Sequence, residues 1–72
     1  MHRYLYKGRV LDRDGRMLDR HWEGRTIAKS AAQARSRLSY QWKCKRNYPV
    51  DFYVELRGDL KMTGAIELKG VG

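Results

Sequence analysis

The stretch Ser30-Ala-Ala-Gln-Ala-Arg-Ser-Arg-Leu-Ser-Tyr-Gln-Trp-Lys-Cys-Lys-Arg46 decides the fold of this 72-residue chain. Ala31, Ala34, Leu38 and Trp42 recur at helical spacing and make one apolar stripe, flanked by Gln41 and Lys45. The Ser30 hydroxyl can accept from the early amides, and Gln33 can reach back to complete a capping box, so a helix is expected from Ser30 to about Arg46. No Pro, Gly or β-branched residue interrupts it before Asn47-Tyr48-Pro49, where proline disfavours helical geometry in the preceding residue. Such a helix is roughly 24 Å long at about 1.5 Å per residue. Two alanines followed by Leu and Trp predict a close approach at the first turn and a wider gap later.

The same stretch sets the charge. Residues 24–50 contain Arg25, Lys29, Arg35, Arg37, Lys43, Lys45 and Arg46 and no Asp or Glu, which is seven of the net +8. A pI near 10 favours a polyanionic partner: nucleic acid, an anionic membrane surface or an acidic protein face. The competing reading is a basic protein whose charge only keeps it in solution.

Before the helix, Arg3 to Asp12 reads as a strand, with Tyr4, Tyr6 and Val10 on one side and Arg3, Lys7 and Arg9 mostly on the other. Gly8 in mid-run suggests a bulge or a close neighbour. Asp12-Arg13-Asp14-Gly15 is a turn signal, and Arg16 to Ile27 returns as the second strand of a hairpin. After the helix, Val50 to Leu56 alternates cleanly, with Val50, Phe52, Val54 and Leu56 facing one way. Arg57-Gly58-Asp59 reads as a turn and 60–68 as a fourth strand, kinked near Thr63-Gly64. The expectation is an α+β fold of order ββαββ, a small antiparallel sheet with one helix packed on one face. Its core would be Tyr6, Val10, Trp22, Leu38, Trp42, Phe52, Val54 and Leu56.

A chain of this length makes one small basic domain spanning 1–72, burying about 60–65% of its unfolded surface, with no staple to reinforce it. Cys44 is the sole cysteine, so no intrachain disulfide can form, which fits a reducing compartment. No apolar run follows the charged N-terminus and none approaches membrane-spanning length, so an untargeted cytoplasmic protein is expected.

No arrangement of residues suggests catalysis, a metal or a cofactor. His2 and His21 are isolated, the acids of the hairpin alternate with arginines, and the glycines are scattered rather than gathered in a phosphate loop. Cys44 between Lys43 and Lys45 lacks a shaped pocket and reads as a structural thiol. Two surfaces remain. On the outward helix face Arg37, Tyr40 and Lys43, with Gln33, Ser36 and Asn47 beside them, can contact phosphates and stack, or form a solvated face with one stray tyrosine. On the open sheet face Lys7, Arg9, Arg20 or His21, and Tyr53 can gather as in RNA-binding sheets, although Asp19, Glu23, Asp51 and Glu55 point to ordinary cross-strand ion pairs.

The succession Tyr4-x-x-x-Gly8, Trp22-Glu23-Gly24, Ser30-x-x-x-Ala34-Arg35-x-x-Leu38-x-Tyr40-Gln41-x-Lys43 and Glu55-Leu56-x-Gly58 resembles small uncharacterised proteins of bacteriophages and integrative elements. That group has no assigned activity. The resemblance implies origin in a mobile element, whose small genes often encode DNA-binding accessory factors or inhibitors of host proteins.

The leading expectation is therefore a non-catalytic nucleic-acid-binding accessory protein, with DNA favoured over RNA. Arg35, Arg37, Lys43, Lys45 and Arg46 would hold phosphates and Tyr40 would stack or donate a hydrogen bond. Arg35 and Lys45 flank the apolar stripe, where their stems can instead cover core. The alternative is a protein–protein interaction module, either a mobile-element inhibitor of a host protein or a homodimeric adaptor.

Overall fold

The computed structural model describes residues 1–65. Three strands and one helix follow in the order β1 (His2–Asp12), β2 (Met17–Ala28), α1 (Ala31–Lys45) and β3 (Val54–Ala65). The class is α+β as expected, but the order is ββαβ, with three strands in place of four. β1 is central and pairs antiparallel with both neighbours, giving the sheet order β2-β1-β3. β2 and β3 therefore run parallel to each other on opposite edges, and α1 crosses one sheet face to connect them.

The hairpin forms where the sequence placed it. The Asp12 carboxylate accepts from the amides of Asp14 at 2.9 Å and Arg16 at 2.8 Å, and Gly15 takes φ +85° to close the turn. At α1, Ser30 Oγ accepts from the Gln33 amide at 3.2 Å. The Gln33 side chain reaches past the cap residue to the Lys29 amide at 2.7 Å, so the box closes one residue earlier than the usual pattern. The helix ends ahead of Pro49. Asn47 adopts φ 59°, its amide returns to the Cys44 carbonyl at 3.3 Å, and the Tyr48 amide returns to the Lys43 carbonyl at 2.9 Å. This pair of bonds around a left-handed asparagine satisfies the last carbonyls of the helix.

Two expectations fail after the helix. Val50 to Phe52 is not strand: Val50 is 64% exposed, and the Phe52 amide closes a turn onto the Pro49 carbonyl at 3.0 Å. The cause is tertiary. Tyr48 packs against Trp42 with ring centroids 5.0 Å apart, and Phe52 against Tyr48 at 4.8 Å, folding the chain back onto the helix end. Nor is Arg57-Gly58-Asp59 a turn. β3 runs unbroken through it, and Gly58 lies opposite Gly8 of β1. A Cβ on Gly58 would stand 2.6 Å from the Gly8 Cα, and one on Gly8 would stand 2.6 Å from the Gly58 Cα. The Tyr6 hydroxyl lies over this bare crossing and donates to the Arg9 carbonyl. The glycine marks a close approach, and the supposed fourth strand is the second half of β3. Ile66 and Leu68, assigned to that strand, lie outside the described residues.

The core sits between α1 and the sheet. Tyr6, Val10, Trp22, Leu38, Trp42, Val54 and Leu56 form its main body, with Leu18, Tyr48, Phe52 and Leu60 partly buried around it. Tyr4, Ala28 and Ala34 make a second cluster under the first turn of α1, where the alanine allows the expected close approach. Strands of 12 residues extend about 40 Å and a 15-residue helix about 22 Å, so the helix cannot cover the sheet, whose long axis dominates the 48 × 22 × 17 Å molecule.

Candidate nucleic-acid interface

The cations of α1 do not form one outward face. Arg35 turns toward the β3 edge, where its guanidinium donates to the Leu56 carbonyl at 2.9 Å. Arg37 turns toward the β2 edge and donates to the Ile27 carbonyl at 2.6 Å, and Gln41, one turn later, donates to the Arg25 carbonyl at 3.3 Å. Among the described residues both β2 and β3 are edge strands whose outer polar groups have no strand partner, and these side chains supply donors to them. Lys43 donates to the Val50 carbonyl at 2.7 Å and fixes the turn after the helix. Arg46 pairs with Asp19 at 2.6 Å, and the same carboxylate oxygen accepts from Trp42 Nε1 at 3.2 Å. Lys45 has no polar partner among the described residues.

Of the six residues proposed for the helix face, Arg37 and Tyr40 meet in one place. With Thr26, Ser36 and Gln41 they line an open depression of about 450 Å³ on the β2 flank. Tyr40 is 48% exposed. Interaction with the Cys44 side chain, one turn later, raises its pKa. Arg35, Lys43 and Arg46 lie elsewhere and are engaged with the protein itself.

On the far face of the sheet, the strand pairing fixes which side chains are neighbours. Tyr4 and Tyr6 are buried under α1, so Arg3, Leu5 and Lys7 of β1 point the other way. Arg3 pairs with Ile27, Leu5 with Arg25 and with Lys61, and Lys7 with Glu23 and with Asp59. Lys7 thus has Glu23 and Asp59 opposite it on the two neighbouring strands. The anticipated group of Lys7, Arg9 and Tyr53 does not form: Arg9 faces Arg57 on β3, while Tyr53 precedes β3 and lies under the Arg13 guanidinium, 5.8 Å from its ring centre. Asp19, expected on this face, is on the other. A register shift between the Gly8–Trp22 and Val10–Asp19 pairs places an extra residue on β2 and reverses the side on which Asp19 emerges.

At the end of this face beyond Lys7 the character changes. Arg3, Leu5, Arg25, Ile27 and Thr63 surround a concavity of about 620 Å³, and Arg37 reaches it over the β2 edge. Among the described residues no carboxylate lines it. Arg37 belongs to both depressions and joins them.

Comparison with known protein families, curated proteins and solved structures gives no match. The functional reading rests on the site alone. Among the described residues, no three His, Cys, Asp or Glu side chains gather where they could hold a metal ion, and no helix is long and apolar enough to cross a membrane.

Arg3 and Arg25 are absent from the residues expected to form the site, and no local signal points to them. Two register shifts between Gly8 and Leu11 move the pairing by two residues from the one the turn alone would set, and the shifted register makes Arg3 and Arg25 diagonal neighbours, about 7–8 Å apart at the backbone.

Proposed function

We propose that this protein is a non-catalytic nucleic-acid-binding module whose phosphate contacts centre on Arg37 at the β2 flank of the helix. The observation that carries this reading is the depression where Arg37, Tyr40, Ser36, Thr26 and Gln41 come together with no acid among the described residues around it. The bond to Ile27 uses one of the five guanidinium N–H groups of Arg37 and pins its stem, so the remaining donors are held in place for an incoming phosphate. Tyr40 adds an exposed ring and a hydroxyl donor one turn along. Lys45 contributes charge at the C-terminal end. Arg46, neutralised by Asp19, contributes less than its position in the sequence suggests. A role of this kind suits an accessory protein of a mobile element, the group that the sequence motifs resemble.

A second reading, an interaction module or homodimer, draws on exposed apolar side chains, Ile27 at 42% on the open face and Met62 at 59% on the helix side of the sheet. Salt separates the two. Binding through about three phosphate contacts falls with salt at a log–log slope near −2 to −3, whereas a partner held by an apolar centre is nearly indifferent to it. The decisive experiment is fluorescence anisotropy of labelled nucleic acid at about 50 and 200 mM salt. Micromolar binding that weakens steeply with salt, and that Arg37→Glu reduces at least tenfold, is the expected result. Absence of binding at low salt, or binding untouched by Arg37→Glu, removes the proposal.

A further inference from the structure

We infer that the concavity formed by Arg3, Arg25 and Arg37 seats the phosphodiester backbone of a single-stranded nucleic acid, which passes from the helix flank around the β2 edge onto the open sheet face. This rests on the nucleic-acid reading above and specifies the form of the ligand and its path.

Three observations lead there. The first is the charge. Three arginines line one cavity of about 620 Å³ with no carboxylate among the described residues around it, while the next cation along β1, Lys7, has an acid opposite it on each neighbouring strand. Like charges brought together on a sheet are mutually destabilising. Arg3 and Arg25 are exposed and have no side-chain hydrogen bond or ion pair among the described residues, so packing does not account for their placement. An anion with several acceptor oxygens does, since the planar guanidinium fork matches phosphate geometry.

The second is the floor. Leu5 and Ile27 lie between the arginines, paired across β1 and β2 with Arg25 and Arg3 respectively. Their side chains give sugars and base faces an apolar surface, which bare charge would not.

The third is the route. Arg37 lines both this cavity and the Tyr40 depression, and its bond to the Ile27 carbonyl holds it at the edge between them. A ligand using both depressions must turn around one β-strand. Duplex DNA, with a persistence length of about 50 nm, does not bend on that scale. A single strand does, and it offers unstacked bases to Tyr40 on one side and to Leu5 and Ile27 on the other.

The test is anisotropy of a labelled oligothymidine of about 20 nucleotides, and of a duplex of equal length, against the wild-type protein and the Arg3→Ala/Arg25→Ala variant. Single-strand binding tighter than duplex binding is expected. In the variant, single-strand affinity should fall at least tenfold and its salt slope should become shallower by about 1.4, with duplex affinity changed less than threefold. Equal single-strand affinity for variant and wild type overturns the inference, as does wild-type preference for duplex. If duplex binding persists and responds only to Arg37→Glu, the function proposed above survives without this inference; if neither ligand binds, both fall. Amide chemical shifts of the wild-type protein titrated with oligothymidine provide a check independent of variant folding. Perturbation at Leu5, Arg25 and Ile27 supports the seat, and perturbation confined to α1 refutes it.

Discussion

Under α1, the sheet presents Tyr6, Val10, Trp22 and Leu56, all buried; on its other side Arg3, Lys7, Arg9 and Arg25 remain in water. The two sides are separated by one residue of strand register yet respond to different demands. On the covered side each residue is fixed by the space it fills or vacates, and a mutation there acts on stability. At the Arg3 end of the open side Arg3 and Arg25 are exposed with no side-chain partner among the described residues, and under the proposed function a mutation there acts on ligand affinity. Lys7 marks the boundary, since Glu23 and Asp59 lie opposite it on the two neighbouring strands and offset its charge. If this division is right, stability and nucleic-acid affinity should respond to largely separate sets of substitutions.

The largest effect is expected at the glycine crossing. Gly8→Ala places a Cβ 2.6 Å from the Gly58 backbone at a residue with φ +150°, so both overpacking and backbone strain oppose it. The loss should be about 3 kcal/mol in chemical denaturation, or a melting temperature lower by roughly 12–20 °C in a domain this small. Gly64→Ala, with no atom within 4 Å of the new Cβ, should change stability by less than about 0.5 kcal/mol. Similar losses for the two variants would mean that the crossing relaxes, and that the covered side is less tightly constrained than its geometry implies.

Asp19 tests the division where the two sides touch. Its carboxylate holds the Trp42 indole and Arg46 together and has a side chain only 13% exposed. Asp19→Ala should cost about 2 kcal/mol by leaving the buried indole N–H without its acceptor. It also releases Arg46, so oligonucleotide affinity should rise two- to threefold with a steeper salt slope, by about one at most. Lower stability with unchanged affinity would place Arg46 off the path of the ligand.

What could be read from the sequence follows the same division. The helix and hairpin were legible because their signals are local: Ser30, the stripe through Trp42, and Asp14-Gly15. Val54 and Leu56 were correctly assigned to the core. The errors lie where distant residues decide. Pro49 to Phe52 alternates like a strand but is drawn into a turn by the stacking of Trp42, Tyr48 and Phe52. Gly58 looks like a turn residue because its partner at the close approach, Gly8, lies 50 positions earlier in the chain. Of the candidate site, Arg37 and Tyr40 were visible as helix residues at compatible spacing. That Arg35 and Arg37 serve opposite sheet edges depends on how the helix is seated, and that Arg3 and Arg25 are neighbours depends on strand register. Composition located the charge, and the fold distributed it.

The smallest effect concerns Tyr6. Burial raises its pKa, Asp59 adds to the rise, and Arg35 and Arg9 oppose it. The folded state therefore holds the phenol proton more tightly than the unfolded state does. The stability this represents is fully present below the ordinary tyrosine value near pH 10 and is lost as pH rises through the higher folded value. Wild-type stability should accordingly fall above about pH 10, with Tyr6 contributing a limiting slope of roughly 1.4 kcal/mol per pH unit. Tyr6→Phe removes that contribution along with the hydrogen bond to the Arg9 carbonyl, lowering stability at pH 8 by about 1 kcal/mol and flattening the alkaline decline. Because Tyr6 lies on the covered side, the substitution should leave oligonucleotide affinity at pH 8 unchanged. An unaltered alkaline decline would assign it to groups other than Tyr6, and a large loss of affinity would show that the crossing of β1 and β3 is coupled to the arginine cavity at the other end of the same strand.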